Sequence, residues 1–126
     1  MPANSEEFPW PSHYGHFNFF EKRMKDHGRV GSITPDGDGV YLLMRSDGQE
    51  LRVFICECYS FGVAEYLEVL KKVAEVDAVV INSMWCGYTS EAKRQATSDH
   101  KGLFKVSEFM GALNMQDYWN YVPPEN

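Results

Sequence analysis

Cysteine is scarce in this chain: three residues, Cys56, Cys58 and Cys86, in 126. An odd number without regular spacing makes a poor disulfide framework. Positive charge is also in deficit. Twelve lysines and arginines face eighteen aspartates and glutamates, giving a net charge of −6. That balance argues against a broad basic surface of the kind that holds nucleic acid by neutralising phosphates. It leaves local patches only: Lys22, Arg23, Lys25, His27 and Arg29, and a looser set of Lys93, Arg94, His100, Lys101 and Lys105. No apolar run is long enough to span a bilayer, so no membrane partner is expected. Met1 to Pro11 has no basic stretch followed by an apolar one, so it does not read as a signal peptide, and a reducing, cytoplasmic setting is the expectation. Internal repeats, low-complexity tracts, a phosphate-cradling glycine loop and a Ser-His-Asp order are missing as well.

What is present suits one globular domain with a real core: 44% of residues are hydrophobic and 14% aromatic. Residues 1–14, with Pro2, Pro9 and Pro11, read as an irregular lead-in that Phe8 and Trp10 pin to the domain. The domain itself is expected over 15–118, and 119–126, with Pro123-Pro124, as a tail. Phe17, Phe20 and Met24 recur at helical spacing over 15–27, with Gly28 as the stop. Strands are expected at 29–34, 40–45 and 51–59, with Pro35-Asp36-Gly37 as turn chemistry. A helix over 62–75 carries the stripe Val63, Tyr66, Leu67, Leu70, Val73 and Ala74. The continuous apolar run 78–81 reads as a buried parallel strand. Thr89 caps a helix over 90–98, a short strand follows at 102–106, and Ser107 caps a last helix from 108 to about 115. The expected architecture is therefore α/β: a mixed sheet, made of a three-strand meander and then parallel crossovers, between helices.

Asp47-Gly48 between two apolar runs is the strongest short-range hairpin signal. A two-residue turn pairs Ser46 with Gln49, then Leu42 with Val53, Val40 with Ile55 and Asp38 with Glu57. Directly opposed residues share a face, with Cβ atoms about 5 Å apart. Two carboxylates would then stand side by side on a hairpin that is apolar on both faces. Buried, such a pair calls for a divalent cation or a shared proton; at a solvated sheet end it costs little.

With that pair in view, the sequence resembles the PD-(D/E)XK, restriction-endonuclease-like superfamily. The order is βββαβ, with an acid near the start of the second strand (Asp38) and Glu57-Cys58-Tyr59 where the family has Glu-x-Lys. Phe17-Asn18-Phe19-Phe20-Glu21 resembles the first helix of the Mrr-type branch, which often carries a supporting Glu. Val79-Val80-Ile81-Asn82-Ser83 and Tyr88-Thr89-Ser90-Glu91-Ala92-Lys93 resemble the strand, loop and helix that close that fold. The resemblance covers roughly residues 15 to 113. It implies Mg²⁺ or Mn²⁺ on Glu21, Asp38 and Glu57, with Asp38, Glu57 and Tyr59 in the catalytic positions. Tyr59 stands where the family has lysine, and a tyrosine is neutral near pH 7. Lys71 and Lys72 lie roughly 13 Å along their helix and are poor substitutes. Lys93 or Arg94 reaches the site only if its helix leans over it.

Other residues carry milder expectations. Cys56 and Cys58 are expected as buried thiols, neither disulfide-bonded nor zinc ligands. His13 and His16 fit surface positions. Trp85 and its neighbours follow a parallel strand, where α/β sites gather, and serve equally as an aromatic lid. Two functions follow. One is a Mg²⁺- or Mn²⁺-dependent phosphodiesterase with weak activity on nucleic acid. The other is a nuclease-fold protein without turnover that binds or assembles, its partner being nucleic acid on a local basic patch, another protein or a second copy.

Overall fold

The computed structural model describes Trp10, residues 14–82 and residues 86–122, with side chains from 17 onward in the first helix. Phe8, His13, Ser83, Trp85, the side chain of His16 and Pro123-Pro124 lie outside the described residues.

The elements follow in the order α1 (Tyr14–Lys25), β1 (Val30–Pro35), β2 (Val40–Arg45), β3 (Glu50–Cys56), β4 (Ser60–Phe61), α2 (Val63–Lys72), β5 (Ala78–Ile81), β6 (Gly87–Tyr88), α3 (Ser90–Ser98), β7 (Gly102–Lys105), α4 (Val106–Ala112) and a 3₁₀ turn, Tyr118–Asn120. Five strands make one mixed sheet in the order β1-β2-β3-β5-β7. β1, β2 and β3 run antiparallel, whereas β3, β5 and β7 run parallel. The parallel pairs need crossovers, which α2 and α3 supply. β4 and β6, two residues each, form a separate parallel pair that the sequence did not signal.

The sheet separates two cores. Phe54, Cys56, Val79 and Leu103 meet Tyr66 and Val69 of α2 and Ala92 and Ala96 of α3 on one face. Trp10 is buried in the same core, its ring edge-on to Phe61 at 5.9 Å, so this residue is anchored as expected. On the other face Leu43, Val53, Ile55, Val80 and Phe104 meet Phe20 and Met24 of α1 and Phe109 of α4.

Several local signals act as read. Thr89 caps α3, its hydroxyl accepting the Ala92 N–H at 3.1 Å. Two glutamates close helix starts from inside: the Gly62 N–H donates to Glu65 and the Lys105 N–H donates to Glu108, both at 2.9 Å. The last helix therefore begins at Val106 behind Lys105, not behind Ser107. The inner face of α2 also differs from the expected stripe. Val69 is buried, whereas Leu67 is 52% exposed and Ala74 is exposed. Tyr66 sets this rotation: fully buried, its hydroxyl donates to Asp99 at 2.7 Å.

The largest correction concerns the hairpin. β2 and β3 pair Tyr41 with Val53, Leu42 with Arg52 and Leu43 with Leu51, one residue away from the register of a two-residue turn. The connection is the three-residue loop Ser46-Asp47-Gly48 closed by Arg45 and Gln49. Of the two turn residues Gly48 alone has positive φ, at 94°, where a two-residue type I′ turn needs it at both. The Asp47 carboxylate accepts the Gln49 N–H at 2.9 Å and favours the longer loop. One step of register exchanges the faces. Tyr41 and Leu43, not Val40 and Leu42, share a core with Val53 and Ile55.

The edge strands of the sheet are β1 and β7. β1 carries an irregularity between Val30 and Ser32 and ends on Pro35. At β7, the Lys93 amine reaches from α3 to the Leu103 carbonyl at 2.7 Å and lies 4.0 Å from the centre of the Phe104 ring.

Arg45 ends β2 as a buried cation. Its guanidinium donates to the carbonyls of Leu113 (2.8 Å), Met115 (2.6 Å) and Gln116 (3.4 Å) and to the Gln49 side chain (3.0 Å). These carbonyls lie in the turn that follows α4, next to the C-terminal end of the helix, where a cation is favoured. Arg45→Met keeps the stem and removes the donors; it is expected to cost roughly 2–4 kcal/mol in urea unfolding, because the buried Leu113 carbonyl and the partly buried Met115 and Gln116 carbonyls lose their partner. A cost under about 1 kcal/mol would mean that water replaces the guanidinium. On α2, Leu67→Ala should stay within about 0.5 kcal/mol of the parent, and Leu70→Ala, half-buried against the core, should cost about 1–2 kcal/mol in the same measurement.

Candidate functional site

The C-terminal ends of the three parallel strands lie level: Cys56 beside Ile81, and Ile81 beside Lys105. In open α/β sheets this edge is where ligands gather. One step further come Glu57, Asn82 and Val106. Cys56 and Cys58 belong to the core under α2, so by alternation Glu57 points to the opposite face, with Ile55. It is 1% exposed, and its N–H donates to the Trp10 carbonyl at 2.8 Å. The Asn82 N–H donates to the Cys56 carbonyl at 2.8 Å and carries the β3–β5 ladder one residue beyond the strands.

The register does not set Asp38 opposite Glu57 as expected. The ladder ends where the Ile55 N–H donates to the Gly39 carbonyl; continued by count, it would set Gly37, not Asp38, against Glu57. Instead the chain turns. The Asp36 N–H donates to the Val40 carbonyl and the Val40 N–H to the Gly37 carbonyl, with positive φ at Gly37, Asp38 and Gly39. A side chain at Gly39 would approach the Ile55 carbonyl to 2.7 Å, so only glycine fits that close pass. Asp38 sits exposed at the tip of this turn, between β1 and β2. The opposed Asp38–Glu57 pair is thus corrected, and the cause is the longer Ser46-Asp47-Gly48 loop.

Glu21 lies half-buried on α1 and accepts the Tyr41 hydroxyl at 2.7 Å. Burial, and then the Glu21 carboxylate, push the Tyr41 phenol well above the usual tyrosine range. Tyr59 is 65% exposed, while its carbonyl accepts the Gly87 N–H at 3.2 Å. Its ring therefore projects to solvent and brings no positive charge to Glu57. A divalent cation does not fit these side chains as a ready ligand set: among the described residues no three of His, Cys, Asp and Glu converge as metal ligands.

Cys56, Cys58 and Cys86 are buried free thiols in one core. Burial pushes the Cys58 thiol up to about 11 and the Cys56 thiol further, so both stay protonated and unreactive near neutral pH.

A second polar group at the strand ends went unread in the sequence. The Tyr88 hydroxyl donates to Glu108 at 2.7 Å, on the same oxygen that accepts the Lys105 N–H. Lys93 stands nearby, 5.6 Å from the Tyr88 ring centre. Burial lowers its amine to about 8, partly offset by Glu108. Glu108 three residues after Lys105 is a capping spacing that could have been read; Tyr88 and Lys93 carry no local signal. Lys93 does not replace the motif lysine. It is held at β7, and β5 lies between β7 and β3, a distance of two strand spacings, about 10 Å. Arg94 is exposed and faces Glu91 at 3.8 Å.

The lowered Lys93 value fixes a pH dependence. The folded state resists protonating this amine more than the unfolded chain does, so its contribution to stability is lost as pH falls through about 8 and is fully present above about 10.5. The stability of the parent relative to Lys93→Met is expected to rise between pH 8 and 10; taking the difference cancels the tyrosines and cysteines that both share. Urea midpoints at pH 7, 8, 9 and 10 test this, and a flat difference would contradict it.

No helix among the described residues is long and apolar enough to cross a membrane. Comparison with protein families, with characterised proteins and with solved structures gives no match for this chain.

Proposed function

We propose that this chain is a restriction-endonuclease-like domain with a degenerate PD-(D/E)XK site, one that binds or assembles and does not cleave. The observation that carries this reading is the state of the motif positions. Glu57 is retained and buried at the end of β3, Asp38 stands exposed on a turn out of its register, and Tyr59 turns an uncharged ring to solvent. In such sites the chemistry rests on charge placed where it develops in the transition state. Here position 59 supplies none. The element order supports the fold part of the reading: a helix, a three-strand meander, a helical crossover and a parallel strand precede the closing helix.

A metal-dependent phosphodiesterase is the second reading, favoured by the buried Glu57 alone. Mg²⁺ or Mn²⁺, if bound, would meet Glu57 without a ready set of further protein ligands among the described residues, and would supply Lewis-acid chemistry. Nucleic acid would be its substrate.

One experiment separates the two. The parent, Glu57→Gln and Tyr59→Lys are incubated with single- and double-stranded DNA and RNA in Mn²⁺ or Mg²⁺, and Tm is followed against metal concentration. A ligand that binds only the folded state raises Tm. The expected outcome is no cleavage by the parent above the Glu57→Gln background and a metal-induced shift under about 1 °C. Gain of cleavage in Tyr59→Lys would support a degenerate site. Brisk cleavage by the parent, lost in Glu57→Gln, would overturn the proposal in favour of the enzyme.

A further inference from the structure

The outer face of α1 concentrates the positive charge of an otherwise acidic chain. Lys22, Arg23 and Lys25 on the helix and Arg29 just past it stand with Glu21 and Asp26, four positive charges and two negative, for a local net of +2 over residues 21–29; the rest of the chain therefore carries −8 of the total −6. All four cations are exposed, and among the described residues none has a carboxylate within ion-pair distance. Cations in a last helical turn suit the helix dipole, which accounts for Lys22, Arg23 and Lys25. It does not account for Phe19. This ring is 51% exposed one turn earlier, with the Arg23 guanidinium 5.5 Å from its centre. The inward residues of the helix, Phe20 and Met24, are fully buried, so Phe19 is not a core residue that has slipped outward.

We propose that this face docks an acidic segment of a partner protein, with its carboxylates on the lysines and arginines and an apolar side chain on Phe19. The inference names the partner of the binding and assembly reading and rests on it. From Phe19 to Lys25 the helix rises about 9 Å, a span that about three residues of extended chain cover. The segment is therefore a short run of Asp or Glu next to one apolar residue. A short acidic run fits a patch confined to one helix end. The rest of the chain is net negative and opposes a long polyanion that extends past the patch.

The full chain is titrated into a fluorescein-labelled peptide of four glutamates ending in tryptophan, with anisotropy as the readout. The same peptide with glutamines, the glutamate peptide without tryptophan, and a short single-stranded oligothymidylate serve as comparisons. The glutamate peptide is expected to bind about tenfold more tightly than the glutamine peptide and to weaken as salt rises from about 50 to about 300 mM. Lys22→Glu with Arg23→Glu should weaken it by about tenfold or more. Phe19→Ser should weaken only the tryptophan-bearing peptide. These positions are exposed, so an unchanged circular dichroism spectrum checks that each variant folds. Equal binding of the glutamate peptide to parent and charge-reversed chain overturns the proposal, and so does tighter binding of the oligonucleotide. Either result leaves the cleavage assay untouched, and cleavage by the parent leaves this result untouched.

Discussion

The register of one hairpin decides what every other part of this sheet faces. Asp47 holds the Gln49 N–H, and Gly48 takes the left-handed conformation that the three-residue loop requires. Together they set Tyr41 opposite Val53 and Leu43 opposite Leu51. From that choice Tyr41 turns toward α1 and meets Glu21, Arg45 turns toward the end of α4, and Val40 joins the core under α2. A shift of one residue would put Leu42 and Met44 in those places and send the guanidinium to the opposite face. Turn geometry and the burial of Tyr41, Leu43, Val53 and Ile55 select this register together, and with it the composition of two cores.

Arg45 extends the same logic to the C-terminal segment. β2 is central in the meander, and α4 packs on β7 and β5. The guanidinium links these distant parts through carbonyl oxygens alone. A planar, permanently charged donor suits the role, because several carbonyls can share one cation at angles an ammonium could not serve together.

Much of the fold was legible because its signals are local. Val40–Arg45, Ala78–Ile81 and Ser90–Ser98 lie where composition and the Thr89 cap put them. Leu67 was misassigned because hydropathy alone cannot see that Tyr66 has a hydroxyl partner on Asp99 and can therefore be fully buried. The two-residue strands β4 and β6 are too short to leave a periodicity. The site was less legible than the fold. The third strand stops at Cys56, three residues before its expected end, so that Glu57 lies just past it, and the position of Asp38 depended on the loop type at Asp47-Gly48, which two turn families share. Tyr88, Lys93 and Glu108 come together across twenty residues of sequence with only a capping spacing to mark one of them.

The clasp at β7 has a bearing on the behaviour of the protein in crowded solution. An uncovered strand edge is a template on which another chain can add, and addition repeated is the first step to fibrous aggregates. Residues 102–105, Gly-Leu-Phe-Lys, are apolar enough to serve as such a template. The Lys93 amine takes the Leu103 carbonyl, and the turn Tyr118–Asn120 packs against the same strand. A chain adding at this edge would have to displace that amine, a side chain that belongs to neither hydrophobic core.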